Sequence, residues 1–222
     1  MADYERARRR MVDRQLRGRG VEDERVLAAM ATVPRERFVP AEDRSRAYRD
    51  GALRIGAGQT ISQPWIVATM ASLLELHGDE RVLEVGTGSG YSAAVLSMLC
   101  AELVTIERHP ELAASARAVL GDLGHRNVEV RNGDGSQGAL DRAPFKGIAV
   151  TATARERPPA ALTEQLAGGG ILVCPVDAGG SEMLVRFQDS EQRAVAPVRF
   201  VPLVEADDDP GRSESDADAA SP

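Results

Sequence analysis

The residues best suited to chemistry lie in Arg81-Val82-Leu83-Glu84-Val85-Gly86-Thr87-Gly88-Ser89-Gly90. An apolar run carries Glu84 and then opens into glycines at 86, 88 and 90, with Thr87 between the first two. The pattern predicts a buried parallel strand, a tight loop and a helix starting at about Tyr91. Glycine allows positive φ and close approach of a ligand to the backbone. The helix start adds free N–H groups. At the carboxyl end of a strand, this loop suits a nucleotide-like cofactor. A plain strand-to-helix turn is the alternative, because turns also collect glycine. Two cofactor motifs do not fit. Gly-x-Gly-x-x-Gly would need glycine where Tyr91 stands, and there is no Gly-Lys-Ser/Thr of a phosphate loop.

Two acids extend the pattern. Leu103-Val104-Thr105-Ile106-Glu107 is apolar and β-branched, and its terminal acid lies 21 residues after Gly86. That offset fits an acid accepting from ribose hydroxyls. A solvated strand-end acid is the other reading. A further strand, Val128-Glu129-Val130-Arg131, runs into Asn132-Gly133-Asp134-Gly135. There Asp134 suits an exocyclic amine such as that of adenine, or a simple turn. Upstream, Gly58-Gln59-Thr60-Ile61-Ser62-Gln63-Pro64 offers two hydroxyls and two amides before a predicted helix. Helix capping by Ser or Thr is the plain reading of that cluster.

Elements that alternate strand and helix must position these residues. Strands are predicted near 81–86, 103–107, 127–131, 147–152 and 171–176, and helices near 90–100, 110–124 and 159–167, with the glycines at 168–170 separating helix from strand. Such alternation predicts an α/β fold, a mostly parallel doubly wound sheet. Runs at 183–188 and 198–203 have short links and predict an antiparallel C-terminal edge. Upstream, helices are expected at 4–18, 23–33 and 64–76, with irregular chain between, forming an N-terminal helical extension. The expected organisation is one domain over 1–204, with residues 1–78 on the substrate side and 79–204 as the Rossmann-like core.

Composition narrows the function. The 222 residues are 43% hydrophobic, enough for one α/β domain. No apolar run reaches the ~18 residues of a membrane span, and the N-terminus lacks an apolar signal region. No membrane association and a cytoplasmic location are therefore expected. Seven carboxylates and one arginine in residues 205–222 account for −6 of the net charge of −7. That tail has the composition of a disordered, solubilising segment. Seven arginines between Arg6 and Arg19 could contact nucleic acid, but aromatic interleaving is missing, so a solvated amphipathic helix is expected. Cys100 and Cys174 have no Cys-x-x-Cys partner, and His77, His109 and His125 lack ligand spacing. Buried thiols, surface histidines and no metal site follow.

Read together, Arg54-Ile55-Gly56, Gly58-Gln59-Thr60-Ile61-Ser62-Gln63-Pro64 and Leu83 to Tyr91 resemble the protein-L-isoaspartate O-methyltransferases. Met11-Val12-x-x-Gln15-Leu16, Val33-Pro34-Arg35-x-x-Phe38-Val39-Pro40, Pro158 to Leu162 and Phe200-Val201-Pro202-Leu203 fit the same family, in its order over roughly residues 10–204. The resemblance implies a Rossmann-like fold and methyl transfer from S-adenosylmethionine to the α-carboxyl of L-isoaspartyl residues in damaged proteins and peptides. S-adenosylhomocysteine is the product, and the ester closes to a succinimide that partly returns to aspartate. It implies that Ser62 and Thr60 serve catalysis, that Gln59 and Ile61 bind substrate, and that Glu84, Gly86, Thr87, Gly88, Gly90, Glu107, Arg108, Gly133, Asp134 and Gly135 surround the cofactor. The substrate carboxylate is already ionised at neutral pH, so positioning replaces a general base.

Three positions depart from the family pattern. Lys146 stands where an acid is usual. Thr151 to Arg157 replaces an Ala-rich loop with a proline, which makes Arg155 or Arg157 a candidate for a substrate carboxylate, or both simply solvated cations. Glu182 stands where Gln is usual. The main alternative function is a homologous carboxyl methyltransferase acting on an Asp of a dedicated peptide. A binding protein that has lost catalysis would lack Ser62 or the glycines, and both are present. A nucleic-acid methyltransferase would carry Asn/Asp-Pro-Pro-aromatic where this chain has Thr-Ala-Thr-Ala. A monomer without nucleic-acid partners is expected.

Overall fold

The computed structural model describes residues 3–204, so the acidic tail expected at 205–222 lies outside the described residues. Helix α1 (Tyr4–Met11) starts behind Asp3, whose carboxylate accepts from the Arg6 amide at 3.0 Å. The single helix expected over 4–18 is instead three pieces: α1, a wider turn at Val12–Leu16 and a tighter one at Arg17–Arg19. Gly18 and Gly20 disfavour a continuous helix, while Met11, Val12 and Leu16 still reach the core. Helix α2 (Glu24–Thr32) is capped by Asp23, which accepts from Arg25 and Val26, and it buries Val26, Leu27, Ala29 and Met30. Pro34 follows its end.

The stretch expected to be irregular forms a hairpin. Strand β1 (Leu53–Gly56) pairs antiparallel with β2 (Gln59–Ile61). Its two-residue turn places Ala57 at φ 47° and Gly58 at φ 69°. That left-handed pair suits a tight hairpin, but Ala-Gly is a weaker signal than Asn-Gly. Helix α3 (Pro64–Leu73) begins on Pro64, which supplies no amide where none is needed.

The sheet is built from β3 (Arg81–Val85), β4 (Glu102–Glu107), β5 (Val128–Asn132), β6 (Phe145–Val150), β7 (Ala154–Arg155), β8 (Leu166–Asp177), β9 (Glu182–Gln188) and β10 (Glu191–Pro197). Its order is β10-β9-β8-β6-β3-β4-β5, with β7 pairing beside β8. The β8-β6-β3-β4-β5 ladder is parallel, and β9 and β10 are antiparallel. The strand order reverses at β3, so the carboxyl ends of β3 and β6 flank the crevice where such sheets bind ligands. Helices α4 (Tyr91–Ser97), α5 (Pro110–Asp122) and α6 (Ala160–Thr163) make the crossovers.

Two details differ from expectation. Helix α6 ends at Thr163 and β8 already starts at Leu166, so the three glycines lie inside the strand. They absorb an irregularity in which Phe145 pairs with Leu166 but Gly147 pairs with Ile171. The last edge strand is 191–197 rather than 198–203. The later segment instead crosses the carboxyl ends of the sheet, with the Thr153 amide donating to Val201 and Leu203 donating back to Thr153.

Side chains alternate between two cores, as a sheet covered on both faces requires. Val82, Leu103, Ile171 and Val173 join one that includes Met11, Leu27, Met30, Leu74 and Tyr91. Leu83, Val85, Ile106, Ile148, Val150 and Leu172 join the other, closed by Leu162. Each fully buried large aliphatic contributes about 1.5–3 kcal/mol. The first core contains residues from both sides of position 78, so the N-terminal segment is packed onto the sheet.

Candidate active site at the carboxyl ends of the sheet

A cavity of ≈ 1210 Å³ opens over the carboxyl ends of β3, β4 and β5. It exceeds the ~300–1,000 Å³ usual for one small ligand, so it has room for a cofactor and part of a second molecule. One wall is the glycine loop, and the opposite wall is β2 with the start of α3. The segment 197–204 closes the third side.

The glycine loop is held by backbone amides together with a few side chains, Thr151, Glu107 and Thr105. The amides of Gly86 and Thr87 both donate to the Ile106 carbonyl, at 2.8 and 3.3 Å. Gly86 sits at φ 93°, and a Cβ there would lie 2.3 Å from Thr151 Oγ1. That hydroxyl donates to the carbonyls of Gly86 and Val85 at 2.7 and 3.0 Å, stitching β6 to β3 at the switch point. Gly90, at φ 87°, starts α4 in a conformation that side chains avoid.

Three carboxylates sit around this loop. Glu107 is 4% exposed and accepts from the Gly88 amide at 2.8 Å and the His109 amide at 3.0 Å. Each of its oxygens keeps a lone pair for another donor. Asp134 accepts from the Ser136 amide through Oδ1, while its buried Oδ2 has no partner. Glu84 lies outside the cavity lining, fully buried beneath the loop. Burial pushes its carboxyl up to about 7, against the Ser92 hydroxyl and a Thr105 hydroxyl donating at 2.7 Å, with the nearby Glu107 charge adding a little to the rise. The Thr105 hydroxyl also pairs with the Thr87 hydroxyl at 2.6 Å, so Glu84 is wired to the loop from below.

Across the cavity stand Gln59, Thr60, Ile61 and Ser62. The Ser62 hydroxyl has no hydrogen-bond partner among the described residues, while its carbonyl accepts from Arg35 at 2.8 Å. Gln59 lies 3.5 Å from the His109 ring, which bridges the two walls.

The cavity thus brings together Ser62, Thr60, Gln59, Ile61, Gly86, Thr87, Gly88, Glu107, Arg108, Gly133, Asp134 and Gly135. Gly90 shapes the loop from just behind the lining. Arg155 is not brought in. Its neighbour Ala154 turns inward and is buried, while Arg155 points out from β7 beside β8. Sequence reasoning missed Thr151, His109, Trp65, Arg19 and Phe200, which all line the cavity. His109, expected at the surface, directly follows the β4 strand end, and that position was the available signal. Trp65 and Arg19 meet through a guanidinium 4.3 Å from the ring, a pairing of segments 46 residues apart.

The donor set fits an adenosyl cofactor. A Cβ-free loop lets a ligand approach the backbone, and the acid at the β4 end and the unpartnered carboxylate oxygen at the β5 end leave acceptors free for hydroxyl and amine donors. The strand order with its antiparallel edge, the glycine loop and the β4-end acid define a Rossmann-like methyltransferase fold. Residues 6–208 match the family model described as Protein-L-isoaspartate(D-aspartate) O-methyltransferase (PCMT), and the chain belongs to that family.

Relatives agree. A protein-L-isoaspartate O-methyltransferase 2 of Anaeromyxobacter sp. (strain Fw109-5) is 52% identical over 90% of this chain and 84% of its own length. One of Marinobacter nauticus is 53% identical over 91% of this chain and 94% of its own. A solved protein-L-isoaspartate O-methyltransferase superposes with TM-score 0.77 at 26% identity, over 89% of this chain and 66% of that one. A Plasmodium falciparum protein crystallised in complex with S-adenosyl-L-homocysteine shares the fold, with TM-score 0.77 at 22% identity, over 89% of this chain and 98% of its own.

Proposed function

We propose that this chain is an S-adenosylmethionine-dependent protein-L-isoaspartate O-methyltransferase acting on the α-carboxyl of isoaspartyl residues in damaged proteins and peptides. The observation that carries this reading is the pairing of a partner-free Ser62 hydroxyl on one wall with the glycine loop on the other, in a chain of this family. When bound, the cofactor supplies a methyl group activated by its sulfonium, and the ester of the substrate carboxylate is the product.

The protein's own residues bind and align. Glu107 accepts from ribose hydroxyls and Asp134 Oδ2 from the adenine amine, with Gly86 and Gly88 keeping the loop bare for the methionine moiety. Ser62 donates its hydroxyl to the substrate carboxylate, and Thr60 and Gln59 complete that pocket. No proton has to leave the nucleophile, since a carboxyl of ordinary pKa near ~4 is ionised at pH 7. Rate comes from holding an oxygen in line with the methyl group. Elimination of methanol to a succinimide and its hydrolysis need no group on this chain.

We also read the protein as a monomeric, cytoplasmic enzyme without nucleic-acid partners. Among the described residues no helix is long and apolar enough to cross a membrane. Some arginines of the first segment are engaged in ion pairs, Arg9 with Glu5 and Arg17 with Glu24.

Labelled S-adenosylmethionine with two peptides that differ only in Asp or isoAsp tests the function. Base-labile label in the isoAsp peptide alone is the expected result. Label in neither peptide, with S-adenosylhomocysteine still bound, would refute it. Ser62→Ala is expected to cut kcat/KM at least tenfold, because a hydrogen bond to a charged group contributes about 1.5–3 kcal/mol.

A further inference from the structure

Arg35 is fully buried, and no carboxylate pairs with it among the described residues. Burial pushes its guanidinium down from the ordinary range, yet arginine stays charged at neutral pH. An isolated buried cation is costly, so its surroundings are informative. Nε donates to the Ala47 carbonyl at 2.8 Å and Nη2 to the Ser62 carbonyl at 2.8 Å. The guanidinium carbon lies over the Tyr91 ring, 4.7 Å from its centroid. Tyr91 is the first residue of α4 after Gly90, and Phe38 packs edge-on against it at 5.6 Å. Both Ser62 and Tyr91 line the main cavity.

One planar cation therefore touches the backbone of the proposed substrate serine and the ring that closes the glycine loop. A fork of donors can hold two carbonyls while its carbon stays over an aromatic ring, which a point charge cannot do. We propose that Arg35 is a positioning residue for methyl transfer: it sets the height of Ser62 over the glycine loop and acts on the reaction only through Ser62. This rests on Ser62 meeting the substrate carboxylate, as proposed above.

The test is a double-mutant cycle on the full chain. Lysine in Arg35→Lys reaches at most one carbonyl and does not stack. Arg35→Met keeps the volume and removes the buried charge, a change that folded proteins often tolerate. Either variant should lower kcat for an isoAsp peptide about tenfold or more with S-adenosylhomocysteine affinity unchanged. In the Ser62→Ala background the same change should cost far less, because the group it positions is gone. Equal factors in both backgrounds, full activity in a folded variant, or failure of both variants to fold would overturn the proposal.

Hydrogen exchange separates this outcome from the function itself. If wild type leaves the isoAsp peptide unmethylated, the proposed function fails. Arg35 is then judged on amide exchange at 59–63. Faster exchange confined to that segment in Arg35→Met supports positioning, and unchanged exchange refutes it.

Discussion

Glu84 and Glu102 sit on adjacent parallel strands and have opposite lives. Glu84, toward the carboxyl end of β3, is fully buried and has only hydroxyls for company, those of Ser92 and Thr105, the latter donating at 2.7 Å. Glu102, at the amino end of β4, is half exposed between Arg81 at 2.8 Å and Arg142 at 3.1 Å. Around Glu102 runs a chain of alternating charges: Arg142 also holds Glu129, and Glu129 and Asp141 both hold Arg131. The loop above Glu84 is fixed instead by amides on carbonyls, by hydroxyls and by one buried carboxylate, Glu107 on the Gly88 amide. The chain of charges starts at the amino ends of β3 and β4 and runs out along the edge strand β5 to Arg131, whereas the carboxyl ends of β3 and β4 are shaped by backbone and hydroxyls and left open for a ligand. Burial raises one carboxylate and guanidinium neighbours lower the other, so the same group marks different work at the two ends.

The largest effect that would test this contrast is at Gly86. Gly86→Ala puts a methyl group into Thr151 Oγ1, which is tied to two carbonyls, at a φ that side chains avoid. The loop or the β6 end must shift by a good fraction of an ångström. Methyl transfer is expected to fall about 100-fold, with weaker S-adenosylhomocysteine binding seen by calorimetry. Near-wild-type activity would show that the loop's shape is less fixed than its hydrogen bonds indicate.

Glu84 comes next. Its carboxyl is raised to about 7 in the folded protein from an unfolded value of 4.5. The folded state therefore holds the extra proton. The associated stability is complete below pH 4.5 and is lost as pH rises through 7. In Glu84→Gln that loss disappears, and urea unfolding at pH 8 should show the variant gaining on wild type by up to about 3 kcal/mol. At pH 5 the gap should shrink to under about 1 kcal/mol. An equal difference at both pH values would mean that the carboxyl is not protonated in the folded state.

The parts of this arrangement that are local were legible in the sequence. The strand, the three glycines and the acid 21 residues later are set by periodicity and chain length, and they reach one cavity as expected. The β1–β2 hairpin was not legible, because its Ala57-Gly58 turn resembles any small-residue bend. The path of β8 through Gly168, Gly169 and Gly170 was hidden too, since glycine signals a break and only pairing with β6 turns that break into a bulge. Arg35 reads as one surface cation among Arg35, Glu36 and Arg37. Its burial comes from Ala47, Ser62 and Tyr91, which only tertiary packing brings together. Arg155 lies off the cavity lining for the related reason that which way a two-residue strand faces is decided by its neighbour β8.

The smallest expected effect lies at the other end of the sheet, and its sign is what matters. Glu102 is held low by Arg81 and then Arg142, so its contribution is present above pH 4.5 and lost as pH falls. Exposed pairs are weak and screened, with a Debye length of about 10 Å at 0.1 M salt and about 3 Å at 1 M. Glu102→Gln should leave methyl transfer unchanged and lower Tm slightly at pH 7 in low salt, a loss that vanishes in about 1 M salt. Glu84→Gln moves the opposite way at pH 8 and, being buried, should do so at either ionic strength. If the Glu102 loss persisted in high salt, the charge chain would be acting as a buried network, and the division between the two ends of the sheet would not hold.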